Sequence, residues 1–453
     1  MDERTDRMTA VCMIYGATGF TGRLILDAAL ARGLRPVVAG RSEGHVRALA
    51  EQHRLPFRVF PLSDPAAAAR ALEDVDAVLN AALIPATAEP LAQACIRHGV
   101  HYLDIGCDLP VLQRLAALDE AAREAGVALV PGAGFSPAVA GALAVHLTRR
   151  LPGAVRLVIA LCTSARPSPG LIRSGLEIAL RPSAALRRGR IRTMRRRRTR
   201  RFDFGRGPEP CYGLCWGELD AIHRATGVRN ADFFVRARPD LVRLLRLPPL
   251  LAACRRLPPL REKFDAFAAA QERPPPGGQG RSHLIGFAYD PSGQRAATRL
   301  HLPDPYTMTA ELAAAALARA VEGPRPPGLH TAGTFLGTDV PAALPGLHVD
   351  WEELELSAPG EVKLRIRRHR RRRPGFFFAR AGRRPERAGP PEDSAPVKTT
   401  AVPLRSAGLP EEDGQEVPNG PNGPEEGAGP EDTPAPAEGI HAPAVPQGAR
   451  RTG

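Results

Sequence analysis

Gly16-Ala17-Thr18-Gly19-Phe20-Thr21-Gly22 holds the clearest chemical signal in this 453-residue chain. Three glycines punctuate a turn between an apolar run, Val11 to Tyr15, and a helical pattern from Arg23 to Ala31. Gly16 permits the tight turn, Gly19 lets backbone approach a pyrophosphate, and Gly22 lets the helix pack closely. The helix N-terminus then offers unpaired N–H groups and the positive end of its dipole to phosphate. With a strand before it and a helix after it, the turn predicts a dinucleotide cradle of Gly16, Thr18, Gly19, Phe20, Thr21 and Gly22.

The end of the next strand reports which dinucleotide. An NAD-preferring site keeps Asp or Glu there for the ribose hydroxyls. This chain reads Val38-Ala39-Gly40-Arg41-Ser42, and Glu43 comes one step late, at a helix start. Arg41 can pair with a 2′-phosphate and stack on adenine, while Ser42 donates a hydrogen bond. NADP(H) is therefore the expected cofactor. Two further polar residues end strands on the ligand-binding edge. Asn80 could contact ribose or nicotinamide, and Asp104 could orient substrate or move a proton, which makes it the catalytic candidate. Cys107 and Asp108 carry a weaker signal.

These residues need a frame, and the pattern supplies one. Apolar runs at Val11–Tyr15, Pro36–Ala39, Phe57–Phe60, Ala77–Asn80, His101–Ile105 and Val127–Val130 read as buried parallel strands. Helical periodicity separates them at Arg23–Ala31, Glu43–His53, Pro65–Leu72, Ala88–His98 and Pro110–Ala125. Six strands alternating with helices predict a doubly wound Rossmann domain over 1–135, in an α/β fold. An α+β second domain for substrate or dimerisation follows over 136–350. It contains helix Pro137–Arg149, strand Val155–Leu161 and an Ala/Leu-rich helix, Met308–Val321, that returns to the first domain. A basic extension is expected over 351–390. The segment 391–453 is rich in Pro, Gly and Glu, with 11 acidic against 4 basic residues, and is read as a disordered tail.

Bulk properties narrow the class. The net charge is +14, yet Lys occurs only at Lys263, Lys363 and Lys398, a skew that reflects codon choice rather than a binding surface. The Arg187–Arg201 run is read as a solvated hairpin with arginines alternating outward around Ile191 and Met194. Its functional alternative is a dock for an anionic carrier protein or coenzyme A ester. Neither it nor Arg365–Arg373 carries stacking aromatics, so no nucleic-acid partner is expected. Seven scattered cysteines do not form a disulfide framework, and Cys211 and Cys215 lack a second pair for a metal site. No apolar run is long enough to span a membrane, and the charged start, Met1 to Thr9, carries no secretory pattern, so a cytoplasmic location is expected. None of the five tyrosines has Lys four residues on, which disfavours short-chain dehydrogenase chemistry.

Ile14 to Arg23 together with Ala39-Gly40-Arg41-Ser42 resembles the saccharopine dehydrogenase-like family, including its trans-acting enoyl reductase relatives. Leu91–Asp104 resembles that family's Ala-Cys and Gly-x-His-Tyr-x-Asp segment. Val130–Pro137 is similar to its Pro-Gly-x-Gly-Phe turn. Phe202–Gly205, Gly217-Glu218-Leu219 and Thr226-Gly227-Val228 look like its second domain. The resemblance implies NADP(H)-linked hydride transfer to or from a C=N or C=C bond of a small-molecule or carrier-bound substrate held between the domains. A homodimer is the other partnership expected. Two places depart from the family pattern. Leu83-Ile84-Pro85 stands where relatives carry Gly-Pro-aromatic, and Gly106-Cys107-Asp108 where they carry Thr-Gly-Glu. A cofactor-binding sensor or scaffold without turnover therefore stays open beside the oxidoreductase.

Overall fold

The computed structural model describes residues 10–82, 84–172, 181–194, 198–214, 216–236, 257–270, 280–323, 325–337 and 349–354. Most of the expected basic extension and all of the expected tail lie outside the described residues, as do Leu83, Arg195 to Arg197 and Cys215.

The first half alternates strand and helix as its periodicity requires. In order come β1 (Cys12–Tyr15), α1 (Phe20–Ala31), β2 (Val37–Gly40), α2 (Glu43–His53), β3 (Phe57–Val59), α3 (Pro65–Leu72) and β4 (Ala77–Asn80). There follow α4 (Ile84–Arg97), β5 (His101–Asp104), α5 (Leu109–Ala116), α6 (Asp119–Glu124) and β6 (Ala128–Val130). The second half holds α7 (Phe135–Arg150), β7 (Arg156–Thr163), β8 (Ala184–Arg187), β9 (Arg190–Thr193), β10 (Thr199–Asp203) and β11 (Pro208–Gly213). Next are α8 (Glu218–Thr226), β12 (Asn230–Arg236), α9 (Pro258–Ala270), β13 (Ser282–Tyr289) and β14 (Arg295–Leu302). The described chain closes with α10 (Pro305–Val321), β15 (Gly328–Leu329), α11 (Ala332–Leu336) and β16 (Asp350–Leu354).

The first sheet runs β15-β6-β5-β4-β1-β2-β3, with every pair parallel. β1 and β4 are buried along their whole length, as central strands covered on both faces must be. Strand order reverses between β1 and β4, which is the switch point where such sheets hold ligands beyond their carboxyl ends. This is the Rossmann-type α/β domain.

The second sheet is mixed, running β10-β11-β12-β7-β13-β14-β16, with the β8–β9 hairpin attached through β12. Its inner face and the first sheet share one apolar core. Ile14 and Leu79 of the first sheet belong to the same buried cluster as Leu143 of α7, Ile159 and Leu284 of the second sheet, and Leu317 of α10. α10 is nearly apolar all round and buries Met308, Leu312 and Leu317, as a core helix should. It starts where Asp304 accepts the Tyr306 and Thr307 N–H groups at 3.0 and 2.9 Å, with Pro305 at its first position. Its Glu311 pairs with Arg32 beside α1.

Several boundaries differ from those read in the sequence. α4 begins at Ile84, four residues before the expected Ala88, because Pro85 sits in its first turn, where a missing N–H costs nothing. Pro110–Ala125 is two helices rather than one. Asp119 opens the second and accepts the Leu329 N–H at 2.7 Å, tying down β15, a two-residue strand too short for any periodicity to show. Residues 351–354, expected in a basic extension, belong to edge strand β16 on β14.

The Arg187–Arg201 segment does form a hairpin, and Arg190 and Arg192 are exposed on it. Arg187 and Arg198 are not solvated in the way expected. Together with Arg156 they converge on Asp232, whose side chain is only 2% exposed. The guanidiniums hold that carboxyl below its usual range against the opposing effect of burial.

Candidate cofactor site at the sheet switch point

The glycine turn follows β1 at the switch point. Gly16 has φ +88°, and its N–H donates to Ala39 O of β2 at 2.8 Å. A Cβ added to Gly16 would lie 2.6 Å from the Ala82 nitrogen, so the loops after β1 and β4 cross in contact there. A Cβ on Gly22 would lie 2.3 Å from Gly16 O and 2.9 Å from Ala17 Cα. Gly22 thus seats α1 on the turn itself rather than on the sheet. Gly19 differs: an added Cβ would meet only Gly16 O, at 3.3 Å, and the residue is exposed. Its outer side is open.

α1 begins at Phe20, three residues before the apolar periodicity, with Gly19 as its N-cap and no side chain capping it. The first-turn N–H groups of Phe20, Thr21 and Gly22 are therefore available to an anion. Arg23 braces the turn by donating from Nε to Thr18 O at 3.3 Å. The Phe20 ring meets Tyr306 of α10 edge-on, centroids 5.1 Å apart. Tyr306 in turn accepts the Ser168 N–H at 2.6 Å, which links the cradle to the second domain. An open glycine and an uncapped helix start fit a dinucleotide's pyrophosphate.

Arg41 and Ser42 are exposed just past β2. Glu43 is engaged by Arg47 one helical turn on, at 2.7 Å, so it does not claim Arg41. Ser42 Oγ lies 3.1 Å from His45 Nδ1. Both residues are exposed and clear of the core.

Asn80 and Asp104 sit deeper. Asn80 is fully buried; its Nδ2 donates to Thr87 Oγ1 at 3.0 Å and to Tyr102 OH at 3.2 Å, and its Oδ1 accepts the Ala82 N–H at 3.1 Å. Asp104 is equally buried. Its Oδ2 accepts from Tyr102 OH at 2.9 Å, and its Oδ1 accepts the N–H groups of Gly106 at 2.7 Å and Gly132 at 3.1 Å. Burial raises its pKa, and those three hydrogen bonds act against the rise. The Asn80–Tyr102–Asp104 chain therefore fixes the loops at the ends of β4, β5 and β6 relative to one another.

Two side chains that spacing did not single out, Ser136 and Glu218, meet beside the loop that follows β5. Ser136 opens α7 directly after β6, and Glu218 opens α8 in the second domain. Ser136 Oγ donates to Glu218 Oε1 at 2.5 Å. The Gly217 N–H donates to Cys107 O at 2.8 Å, drawing the loop after β5 onto α8. Asp108, expected only as a weak candidate, caps α5 and forms a two-oxygen ion pair with Arg181 at 2.8 Å. Burial pushes the Cys107 thiol up, which keeps it protonated. No group of three or more metal-ligating side chains occurs among the described residues. No described helix is long and apolar enough to cross a membrane.

Comparison with known proteins agrees with this geometry. Residues 12–130 match the family model of the saccharopine dehydrogenase NADP binding domain. A search of curated proteins finds no significant match. Among solved structures, the chain is similar to apo saccharopine dehydrogenase (L-Glu forming) from Saccharomyces cerevisiae, with 14% identity and a TM-score of 0.52. That match covers 76% of this chain and all of the yeast chain, and shows a shared fold. DAP dehydrogenase from C. glutamicum also matches, at 16% identity and TM-score 0.38, over 72% of this chain and 93% of that one. Residues 12–130 of this protein are a saccharopine dehydrogenase NADP binding domain.

Proposed function

We propose that this protein is an NADP(H)-dependent oxidoreductase acting on a C=N or C=C bond of a small or carrier-bound substrate. The observation that carries the reading is the cradle itself: an open Gly19, an uncapped α1 and Arg41 and Ser42 exposed beyond β2. Phe20, Thr21 and Gly22 would receive the pyrophosphate through backbone N–H groups. Arg41 and Ser42 would receive the 2′-phosphate. When bound, the nicotinamide would give the hydride to the substrate or take it from it.

Within that reading Asp104 and Asn80 are positioning residues. Their hydrogen bonds hold the floor on which the nicotinamide end would rest, and neither has a free oxygen facing solvent. A substrate held between the Rossmann domain and the second sheet would meet the loops after β5 and β6 and the start of α8. Pairing of two copies is part of the same proposal, without a residue assigned to it.

One observation favours the second reading, a cofactor-binding sensor. The polar residues that end β4 and β5 are consumed by internal bonds, so neither offers a free acid to a substrate. The two readings separate by experiment. NADPH binding followed by absorbance loss at the reduced nicotinamide band, across a panel of cyclic imines and enoyl thioesters, supports the oxidoreductase. Stoichiometric binding with no oxidation across that panel supports the sensor.

A further inference from the structure

Among the described residues, Glu218 is the one fully buried carboxyl of the second domain with an oxygen left over. Its side chain is 0% exposed, Oε1 takes the Ser136 hydroxyl, and Oε2 has no hydrogen-bond partner among the described residues. The indole N–H of Trp216, two residues earlier, is buried without an acceptor as well. Unsatisfied buried polar atoms cost free energy, and two so close mark a place that folding alone does not explain.

The surroundings say what the carboxyl could exchange with. Glu218 lies at the first turn of α8, and Ser136 at the first turn of α7, so two helix N-termini favour its charged form. Burial opposes this, and no ion pair to Glu218 occurs among the described residues. α8 packs against α7, α11, β8 and β12. His146, Arg149 and Arg150 of α7 lie at the far end of that helix, about 15 Å away along its axis. Arg187 of β8 and Asp232 of β12 are paired with each other, and Asp220 of α8 with Arg224. From the loop after β5 come Asp104, Cys107 and Asp108, the last already paired with Arg181. The Gly217 N–H donates to Cys107 O at 2.8 Å, which sets the start of α8 against the loop that follows β5. The balance leaves it titrating at about 7, far above the ordinary 4.5, with burial as the main cause.

We propose that Glu218 is the proton-exchanging group of the cofactor cleft, ionised when the oxidised, cationic nicotinamide is bound and protonated when the reduced, neutral ring is bound. The inference rests on the cofactor reading above. A positive ring beyond the end of β5 would favour the carboxylate, and its O–H bond would break with the proton passing to solvent. A neutral ring exerts no such pull. The chain would thus carry its own acid at the point where Asn80 and Asp104 offer none.

Titration calorimetry with NADP+ and with NADPH tests this, run from pH 6 to 8.5 in buffers of different ionisation enthalpy. Both cofactors carry a 2′-phosphate that ionises at about pH 6 and releases protons alike on binding, so the quantity read is the NADP+ release minus the NADPH release. In wild type that difference should be a positive fraction of a proton, largest near pH 7, and NADP+ affinity relative to NADPH should rise roughly tenfold across the range, as an opposite charge near a carboxyl requires. Glu218→Gln should release the same amount with both forms. Ser136→Ala removes a hydrogen bond that lowers the pKa, so its release should peak at higher pH. That variant keeps the test alive if Glu218→Gln fails to fold. An excess of release with NADP+ over NADPH that persists in Glu218→Gln, or no such excess in wild type, overturns the proposal while leaving the cofactor reading intact. Failure of both cofactors to bind overturns both.

Discussion

Gly16 and Ala82 approach so closely that a side chain on Gly16 would place its Cβ 2.6 Å from the Ala82 nitrogen. The glycine turn and the loop that ends β4 are therefore one packed unit, with Asn80 holding the far side through the Ala82 N–H. A glycine needed for packing and a glycine needed for a ligand can be told apart by substitution.

Gly16→Ala should destabilise the fold. The residue sits at φ +88°, where a Cβ is strained, and the new atom meets backbone that cannot yield. Strain and overpacking together should cost about 2–5 kcal/mol. Gly19→Val should cost much less stability than Gly16→Ala, because its Cβ meets only Gly16 O, at 3.3 Å, yet abolish NADPH binding. Thermal unfolding of the two variants beside calorimetric titration checks this. Undiminished NADPH affinity in Gly19→Val would remove Gly19 from the cradle.

Glu218 should give stability a distinctive pH dependence. Its carboxyl titrates at about 7 in the folded protein and near the ordinary 4.5 when unfolded. Below 4.5 both states hold the proton and the group contributes nothing. Between 4.5 and 7 only the unfolded state releases it, so stability falls as pH rises, then levels above 7. The full loss is about 3 kcal/mol. Urea unfolding of wild type and Glu218→Gln should show that fall in wild type alone. Parallel curves across the range would mean the carboxyl is not buried as described.

Asp232 should be the residue the basic hairpin depends on. Arg156, Arg187 and Arg198 share its one carboxylate, and removing it leaves three guanidiniums facing each other. Breaking a buried ion pair costs about 3–5 kcal/mol, and the arginines' partial exposure lowers that figure. Asp232→Asn should thus lose about 2–3 kcal/mol, partly recovered in high salt, whereas Arg192→Ala on the exposed side should change little. A neutral Asp232→Asn in denaturant unfolding would show the cluster to be solvated.

The first sheet was legible because its strands are short apolar runs ended by glycine or polar residues, as at Tyr15-Gly16 and Ala39-Gly40-Arg41. The glycine turn was legible for the same reason, since it joins a strand to a helix as its sequence pattern requires. What escaped came from long range. β15 has two residues, and its place is set by Asp119, 210 positions earlier. Asn80 and Asp104 carry polar side chains at the right strand ends, but only three dimensions show Tyr102 joining them. Glu218 sat in a recognised Gly217-Glu218-Leu219 stretch, yet nothing local says that Ser136 meets it. Arg187 and Arg198 read as surface because Asp232 lies outside any window that contains them.

Cofactor preference at Arg41 is the most direct test of the whole reading. A charge-assisted bond to the 2′-phosphate is worth about 1.5–3 kcal/mol, or roughly ten- to over a hundredfold in affinity. Fluorescence titration should show wild type binding NADPH tighter than NADH by that factor. Arg41→Ala should lose the difference by weakening NADPH alone, and Arg41→Asp should bring NADH to parity or ahead. Equal binding of NADH and NADPH by wild type would make Arg41 an ordinary surface arginine and contradict the assignment of the site.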